Sequence, residues 1–339
     1  MRPDAPGSNS HMLCHHHGQL WFAVRVVLDV IINDSVILLL DACFLSACCC
    51  AQLPNTEEFK DDSTNLTLRK VVQEVDVMFT VKNHHGHLVR NLMPTQISIY
   101  DNGEPPQQIT YFQPKARLPV RLALVIDISD SVLARRTVET DAAKNLLKHE
   151  LRARPDVALV VGFNQRAQVA QTATHDLHLL SRAIKQLPAG GKTAVYDAVA
   201  LASRQLGTIA NDNAPSLKAI ILMTDGDDNS SKTSLKEAEE IAQQNEAVVF
   251  ALDSGLESLR NDTAQKNLKS LSQVTGGEYF IADEEHVREA IAKVEDELRS
   301  QYAIGYKPAQ TKPDGSFHKI SIFVPKKFKV RHREGYFAR

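Results

Sequence analysis

The sequence predicts an α/β protein in which a doubly wound, mostly parallel sheet is inserted in, or flanked by, a small antiparallel β-domain. Between residues 117 and 300, apolar segments of strand length alternate with helical segments. The regions before and after it show the alternating apolar and polar pattern of half-buried strands. With 43% hydrophobic residues, a chain of 339 residues can fill two cores.

The first predicted domain, residues 52–116, is the small β-domain. Val71–Val81 alternates apolar and polar side chains, which is typical of a strand with one buried face. A second strand, Gln96–Tyr100, reaches Asp101–Gly103, a strong hairpin signal. We therefore expect Gln107–Phe112 to return as the paired strand of a hairpin.

The second predicted domain, residues 117–300, contains the parallel sheet and its helices. The predicted strands are Arg121–Asp127, Asp156–Phe163, Gln168–Thr172, Leu217–Thr224, Ala247–Asp253 and Glu278–Ala282. The predicted helices are Leu133–Leu151, Leu177–Leu187, Ala194–Leu206, Leu235–Gln244, Thr263–Val274 and Glu284–Ser300. The short, continuous apolar strands indicate burial on both faces, which requires helices on both sides of the sheet.

The tail, residues 301–339, returns to β-structure, with strands expected at Gln301–Tyr306, Lys319–Val324 and Lys329–Arg333. So few strands do not bury a face unaided, so we expect them to pack with the N-terminal β-domain. The tail is rich in cations, which favour a lysine-protected edge strand over a phosphate-binding patch. These cations are Lys326, Lys327, Lys329, Arg331 and Arg333.

Residues 1–51 are predicted to be a signal peptide, leader or anchor. Val36–Ala51 is an apolar run of signal-peptide length that ends in small residues. Leu45–Cys48 also fits the pattern before a lipid-modified cysteine in bacterial lipoproteins, so membrane attachment is expected through the leader or a lipidated Cys48. A membrane-spanning helix is the less favoured alternative, because aspartates interrupt the apolar run. We therefore expect an exported protein of the cell envelope, periplasmic or extracellular.

Composition excludes several classes of function. Lys+Arg 39 against Asp+Glu 41 gives a net charge of −2, and aromatic residues are only 6% of the chain, so nucleic acid is not an expected partner. All five cysteines precede residue 51. The globular part therefore has no disulfide, thiolate metal site or nucleophilic cysteine. Its histidine cluster, His84–His87, lacks a carboxylate or cysteine at a fitting offset, which favours a solvated turn over a metal site.

Three loops rich in oxygen donors lie at the expected carboxyl edge of the parallel sheet. They are Asp127–Ser131 after the first strand, Gly190–Thr193 before the third helix, and Thr224–Asn229 after the fourth strand. Hydroxyls and carboxylates at this edge suit a hard cation such as Mg²⁺, with Mn²⁺ or Ca²⁺ as alternatives. Each motif alone is also typical of a cap or a turn, but three of them at one edge favour a metal site.

These motifs read D-x-S-x-S, G-G-x-T-A-x-Y-D and T-D-G-x-D-N, and the segment of about 119–300 resembles a von Willebrand factor type A domain, which is Rossmann-like. With its flanking β-segments, the chain resembles the related group that is abundant in Acidobacteria. The resemblance implies a metal-ion-dependent adhesion site. Ser129, Ser131 and Thr193 would bind the metal directly, and Asp127 and Asp225 would act through water or directly.

Such a site implies a binding protein without enzymatic activity, whose cation binds an acidic side chain of a protein partner. Asp130 stands where the family often has glycine, which adds negative charge at the rim. Tyr196 and Asp197 are expected to support the site, and Asp127 to lie at an exposed strand end. The alternative is a Mg²⁺-dependent hydrolase or phosphoryl-transfer enzyme that uses the same aspartates, but the second acidic residue of such enzymes is replaced by Ser129.

Overall fold

A computed structural model of the protein describes residues 74–114, 118–132, 136–151, 155–209, 215–225, 228–255, 261–310 and 312–338. The predictions for the leader, including Cys48, lie outside the described residues, as do Gly226 and Asp227 of the third motif. All described residues belong to one unit, Leu68–Arg339.

The described part of the chain contains the predicted alternation of strands and helices. Its strands are β1 (Val75–Asn83), β2 (Ser98–Asp101), β3 (Gln108–Pro114), β4 (Val120–Asp127), β5 (Val157–Phe163), β6 (Ala167–Thr174), β7 (Leu217–Thr224), β8 (Ala247–Asp253), β9 (Tyr279–Ile281), β10 (Tyr302–Lys307), β11 (Phe317–Phe323), β12 (Phe328–His332) and β13 (Gly335–Phe337). Its helices are α1 (Arg136–Glu150), α2 (Leu177–Gln186), α3 (Val195–Thr208), α4 (Leu235–Gln244), α5 (Asp262–Thr275) and α6 (Val287–Ser300). None of the described helices is long and apolar enough to cross a membrane.

A six-stranded sheet forms the centre of the α/β domain, in the order β6-β5-β4-β7-β8-β9. Every residue of β4, β7 and β8 is buried, as their continuous apolar sequences predict. Helices α1, α2 and α6 pack on one face, and α3, α4 and α5 on the other. The predicted doubly wound α/β fold is therefore confirmed.

One strand of this sheet runs against the others. β6 pairs with β5 in the antiparallel sense, while the remaining neighbours pair in parallel. The connection from Phe163 to Ala167 is a turn, in which the Asn164 amide donates to the Arg166 carbonyl at 3.2 Å. A parallel return needs a crossover of a dozen or more residues, so this short turn forces the antiparallel arrangement.

The residues on either side of the α/β domain form two further antiparallel sheets. One has the order β12-β1-β10-β3 and the other the order β13-β11-β2. Strand β10, which follows the last helix, lies between β1 and β3, with Tyr302 opposite both Phe79 and Pro114. The tail strands thus share sheets with the strands that precede β4, and the two sheets enclose a common apolar core.

The hairpin expected at Asp101–Gly103 is wrong, although the turn itself forms. Asn102 and Gly103 have φ values of 50° and 86°, and the amides of Asp101 and Glu104 each donate to the other residue's carbonyl. Yet β2 pairs with β11, whereas β3 pairs with β10 in the other sheet. Pro105 and Pro106 follow the turn and have no N–H groups to continue a ladder with β2, so pairing stops there.

The cation-rich tail contains an edge strand, but two of its five cations face inward. β12 lies at the edge of its sheet, and Lys326, Lys327 and Lys329 are exposed. Arg331 instead forms ion pairs with Glu278 and Glu297 of the α/β domain. Arg333 is only 6% exposed, donates to the Asp76 carbonyl of β1, and forms an ion pair with Glu246 of the α/β domain at 3.7 Å. These arginines hold the four-stranded sheet against the α/β domain.

Candidate metal site

The oxygen-rich loops meet at the topological switch point of the six-stranded sheet. β4 and β7 are adjacent and parallel, and the chain winds away from them in opposite directions. Asp127 is the last residue of β4, and Thr224 is the last residue of β7. The crevice outside the carboxyl ends of such a strand pair is the usual ligand site of an open α/β sheet.

Asp127 lies beneath this crevice and is completely buried, which corrects the expectation of an exposed strand end. Its Oδ1 accepts a hydrogen bond from the Ser129 amide at 2.9 Å, and its Oδ2 accepts one from the Thr224 hydroxyl at 2.7 Å. Burial raises the pKa of Asp127 to about 6, and the nearby Asp225 carboxylate adds to the rise, while the bonds from Ser129 and Thr224 oppose it. The carboxylate is therefore fixed in orientation by two donors.

Ser129 and Ser131 place their hydroxyls side by side above Asp127. The two Oγ atoms are 3.1 Å apart, Ser129 is buried, and Ser131 is exposed in the single 3-10 turn Asp130–Val132. Adjacent oxygens around an octahedral Mg²⁺, with bonds of 2.0–2.1 Å, lie about 3 Å apart. The two hydroxyls hydrogen-bond to each other at this separation, which is also the separation of two neighbouring ligands of one small cation.

Thr193 is buried, and hydrogen bonds of its backbone hold it in place. Its amide donates to Asn229 Oδ1 at 3.0 Å, and its carbonyl accepts from the amides of Asn229 and Ser230 at 3.0 and 3.1 Å. The strand-end loops are also tied together, because the Gly190 amide donates to the Ile128 carbonyl at 2.8 Å. The bonds at Thr193 all use its backbone, so they do not engage its hydroxyl.

The rim of the site carries two further carboxylates. Asp225 directly follows β7 and is partly exposed, and its charge acts on Asp127. Asp130 is exposed, and its Oδ1 lies 3.2 Å from the position that a Cβ on Gly190 would occupy. Gly190 has a φ of 104°, so a side chain there would strain the backbone as well as crowd Asp130.

Sequence analysis did not single out two residues that support the loops, Asn164 and Asp228. Asn164 directly follows β5, donates to the Gly190 carbonyl at 2.8 Å, and accepts the Arg166 amide at 3.2 Å. Its position after a strand is the signal that marks it, as for Asp127 and Asp225. Asp228 accepts the amides of Tyr196 and Ser231, at 3.1 and 3.2 Å.

Tyr196 and Asp197, at the start of α3, form hydrogen bonds with α5 and with the loop after β7. The Tyr196 hydroxyl accepts a hydrogen bond from Asn267 Nδ2 at 2.9 Å. The Asp197 carboxylate accepts the amides of Lys232 and Thr233 at 3.1 and 2.9 Å. Burial raises the pKa of Asp197, but the hydrogen bonds from Thr233 and Lys232 lower it overall. This carboxylate binds the start of α3 to the loop after β7.

Replacing Asp197 with alanine should therefore loosen the loop that carries Asp225 without removing a donor from the site. We expect affinity for a divalent cation to fall roughly tenfold, as for losses of residues that orient metal ligands elsewhere. Calorimetric titration of Mn²⁺ measures this. The matched control is Asp314→Ala. The Asp314 carboxylate also accepts a backbone amide, that of Ser316, but it does so in the loop before β11 rather than at the metal site. An equal fall in both variants would contradict the role assigned to Asp197.

The donor set at this edge fits a hard cation that is bound mainly by neutral oxygens. The candidate ligands are three hydroxyls and two aspartates, with Asp130 as a further carboxylate at the rim, whereas the described ranges contain no cluster of three or more His, Cys, Asp or Glu side chains arranged for a metal. A site for Zn²⁺ in its usual thiolate or imidazole environment is thus not formed by these residues. Oxygen donors are the ligands that Mg²⁺, Mn²⁺ and Ca²⁺ prefer.

The fold and the site define a class, namely doubly wound domains with a hydroxyl-rich cleft at the switch point. The family model described as von Willebrand factor type A domain matches residues 122–227. Residues 122–227 therefore match a von Willebrand factor type A domain. A comparison with curated proteins finds no match.

Solved structures that resemble the chain include two that are named for a von Willebrand domain and one that is named for a MIDAS motif. "von Willebrand factor type A from Catenulispora acidiphila" is 14% identical, covers 80% of this chain and 76% of its own, and has a TM-score of 0.44. The vWF domain of the type V pili tip protein Mfa5 from Porphyromonas gingivalis is 13% identical, with coverages of 52% and 94% and a TM-score of 0.44. Proximal thread matrix protein 1 from the mussel byssus, "with zinc occupied MIDAS motif", is 18% identical, with coverages of 58% and 49% and a TM-score of 0.45.

Proposed function

We propose that this protein binds a divalent cation at the switch point and uses it to bind an acidic side chain of a protein partner. Ser129, Ser131 and Thr193 bind the metal directly, while Asp127 and Asp225 act through water or directly. The observation that carries the proposal is the pair of serine hydroxyls 3.1 Å apart above a buried carboxylate. Mg²⁺ is the cation proposed first, with Mn²⁺ and Ca²⁺ as alternatives.

The charge of the proposed ligands supports an acidic partner. The hydroxyls of Ser129, Ser131 and Thr193 are neutral, and each Asp127 oxygen already accepts a hydrogen bond from Ser129 or Thr224. A cation bound mainly by hydroxyls and water keeps much of its positive charge. A carboxylate from another protein then supplies an anionic ligand at the open side of the site.

The same residues support binding rather than catalysis. A phosphoryl-transfer enzyme of the alternative class needs a second acidic residue two positions after its nucleophilic aspartate. That position holds Ser129, whose hydroxyl lies beside Ser131. Both oxygens of the buried Asp127 already accept hydrogen bonds, from Ser129 and Thr224, which disfavours its use as a nucleophile. We therefore propose an adhesion or interaction module without enzymatic activity.

Export to the cell envelope, periplasmic or extracellular, remains part of the proposal and rests on the leader sequence. Val36–Ala51 has the length and composition of a signal peptide, and Cys48 fits a lipid-attachment position. Membership of the Acidobacterial group likewise remains a prediction. N-terminal sequencing of the mature protein tests the leader, because an unprocessed Met1 in a soluble chain would contradict it.

Removal of the Thr193 hydroxyl tests the metal site with little risk to the fold. Thr193→Val keeps the side-chain volume. The three hydrogen bonds that hold the loop at this residue all use its backbone amide or carbonyl, which the substitution retains. We expect calorimetry to show saturable binding of Mg²⁺ or Mn²⁺ to the wild type and affinity roughly tenfold lower in the variant. Thr172→Val, on the exposed side of β6, is the matched control and should bind as the wild type does.

Two outcomes would contradict the proposed function. The wild type failing to bind at millimolar metal would leave the three motifs as caps and turns. Equal affinity in Thr193→Val would remove that hydroxyl from the ligand set. The partner is then sought by capture from envelope extract, with metal or with chelator. A partner bound through the metal must be captured by the wild type in metal, and must be lost both in chelator and with Thr193→Val.

A further inference from the structure

The three-stranded sheet β13-β11-β2 has an outer face on which aromatic residues alternate with a lysine. Along β11, His318, Ile320 and Ile322 point into the sandwich and are buried, while Phe317, Lys319 and Phe323 point outward and are exposed. Phe337 stacks edge-on against Phe317 with ring centres 5.2 Å apart. This face is therefore exposed and apolar in the described part of the chain.

The apolar exposure is greatest at one end of this face. Phe323 is 59% exposed, its ring meets Tyr100 edge-on at 5.7 Å, and it lies opposite Ser98 at the start of β2. The chain enters β2 at this end from Met93, which is 60% exposed. Met93 and Phe323 are the two most exposed large apolar side chains of the described residues.

Positive charge is concentrated at the same end. β11 is followed by Lys326 and Lys327, both exposed, in the turn that leads to β12. The acidic residues of the face lie toward its other end, where Glu104 bridges to Asp101 opposite Ile320, and Asp314 precedes Phe317. We call Met93, Tyr100, Phe323, Lys326 and Lys327 the sheet tip. The tip is a basic and aromatic patch on a chain with a net charge of −2.

We propose that the sheet tip docks on the surface of an anionic lipid bilayer. Aromatic rings settle at the level of the lipid headgroups, and lysines beside them attract the anionic headgroups. Aromatic residues are also enriched at protein–protein interfaces, but lysine is depleted there. The two lysines therefore make a protein partner the less favourable occupant. Charge complementarity thus selects the bilayer, and the proposal is independent of the metal site.

A tryptophan placed at the tip reports this docking even when the leader itself holds the protein on vesicles. The sequence has a single tryptophan, Trp21, so Trp21→Phe/Phe323→Trp carries one emitter at the tip. The matched control is Trp21→Phe/Ile281→Trp, because Ile281 is 43% exposed on β9 of the α/β domain. Vesicles of phosphatidylcholine, with and without phosphatidylglycerol, are prepared with brominated acyl chains, which quench tryptophan only at close approach.

We expect quenching and a blue shift at position 323 on the anionic vesicles, and neither at position 281. Lys326→Gln/Lys327→Gln, added to the tip reporter, should weaken local docking roughly fivefold for each lysine. Lys236→Gln/Lys266→Gln, two exposed lysines of α4 and α5, should leave the quenching unchanged. No quenching at position 323 overturns the proposal and leaves the tip to a protein partner. Equal quenching at positions 323 and 281 also overturns it.

Discussion

Asp127→Asn is expected to remove the metal-dependent gain in stability while leaving the metal-free protein folded. Asparagine keeps one oxygen to accept the Ser129 amide, and its amide group can donate to the Thr224 hydroxyl in place of the present bond. What it lacks is the negative charge behind the cation. We expect metal affinity to fall on the order of 100-fold, at the upper end of effects for residues that orient or neutralise a site.

Thermal unfolding with and without Mg²⁺ measures both halves of this expectation. A ligand at 100 times its dissociation constant stabilises the folded state by about 2.7 kcal/mol, so the wild type should show a clear rise in Tm. Asp127→Asn should show almost none at the same metal concentration. Asp156→Asn is the control, because Asp156 is equally buried but accepts the Val120 amide at the opposite end of β4. If Mg²⁺ raises the Tm of Asp127→Asn as much as that of the wild type, Asp127 has no part in binding the metal.

Asp101→Ala is expected to produce the largest loss of stability in the β-domains. This carboxylate is 4% exposed and accepts hydrogen bonds from the hydroxyls of Tyr306 and Tyr336, at 2.9 and 2.8 Å, and pairs with His318 Nδ1 at 2.8 Å. Burial, followed by the charge of Asp101, raises the pKa of Tyr306, so its phenol stays protonated and donates. Alanine leaves three buried polar groups without their acceptor.

We expect the free energy of unfolding to fall by about 3–5 kcal/mol, the cost of removing one member of a buried charged network. Urea unfolding monitored by circular dichroism measures it. Tyr306→Phe removes only one of the donors and should cost about 1 kcal/mol. If the unfolding free energies of the two variants differ by less than the error of the extrapolation, Asp101 does not link the four strands β2, β10, β11 and β13.

The most predictable elements are those whose local sequence leaves one solution. β7 and β8 have the predicted bounds because each is an apolar run of strand length, the pattern of a strand that is buried on both faces. The hairpin at Asp101–Gly103 failed for the opposite reason. Its turn signal is local and correct, but strand pairing is decided by residues far apart, such as Ile320 opposite Asp101.

The candidate site follows the same division. The rule that ligands bind after parallel strands singles out Asp127 and Asp225, because it needs only the strand ends. The hydrogen bond that orients the buried Asp127 comes from Thr224, which lies 97 residues further along the chain. The contacts of Asn229 and Asp228 with the start of α3 also join distant loops. Such pairings are set by packing, which a single sequence does not display.

The position of β10 between β1 and β3 has a mechanical consequence. The chain enters the α/β domain after β3 and leaves it into β10, and these two strands are neighbours in one sheet, with Tyr302 opposite Pro114. Both connections meet the domain at the edge where its parallel strands begin, opposite the crevice that holds Asp127. Tension applied by a partner at that crevice would run the length of the domain and divide between two covalent tethers. Two connections restrict rotation of the α/β domain relative to the four-stranded sheet, whereas a single linker would allow it.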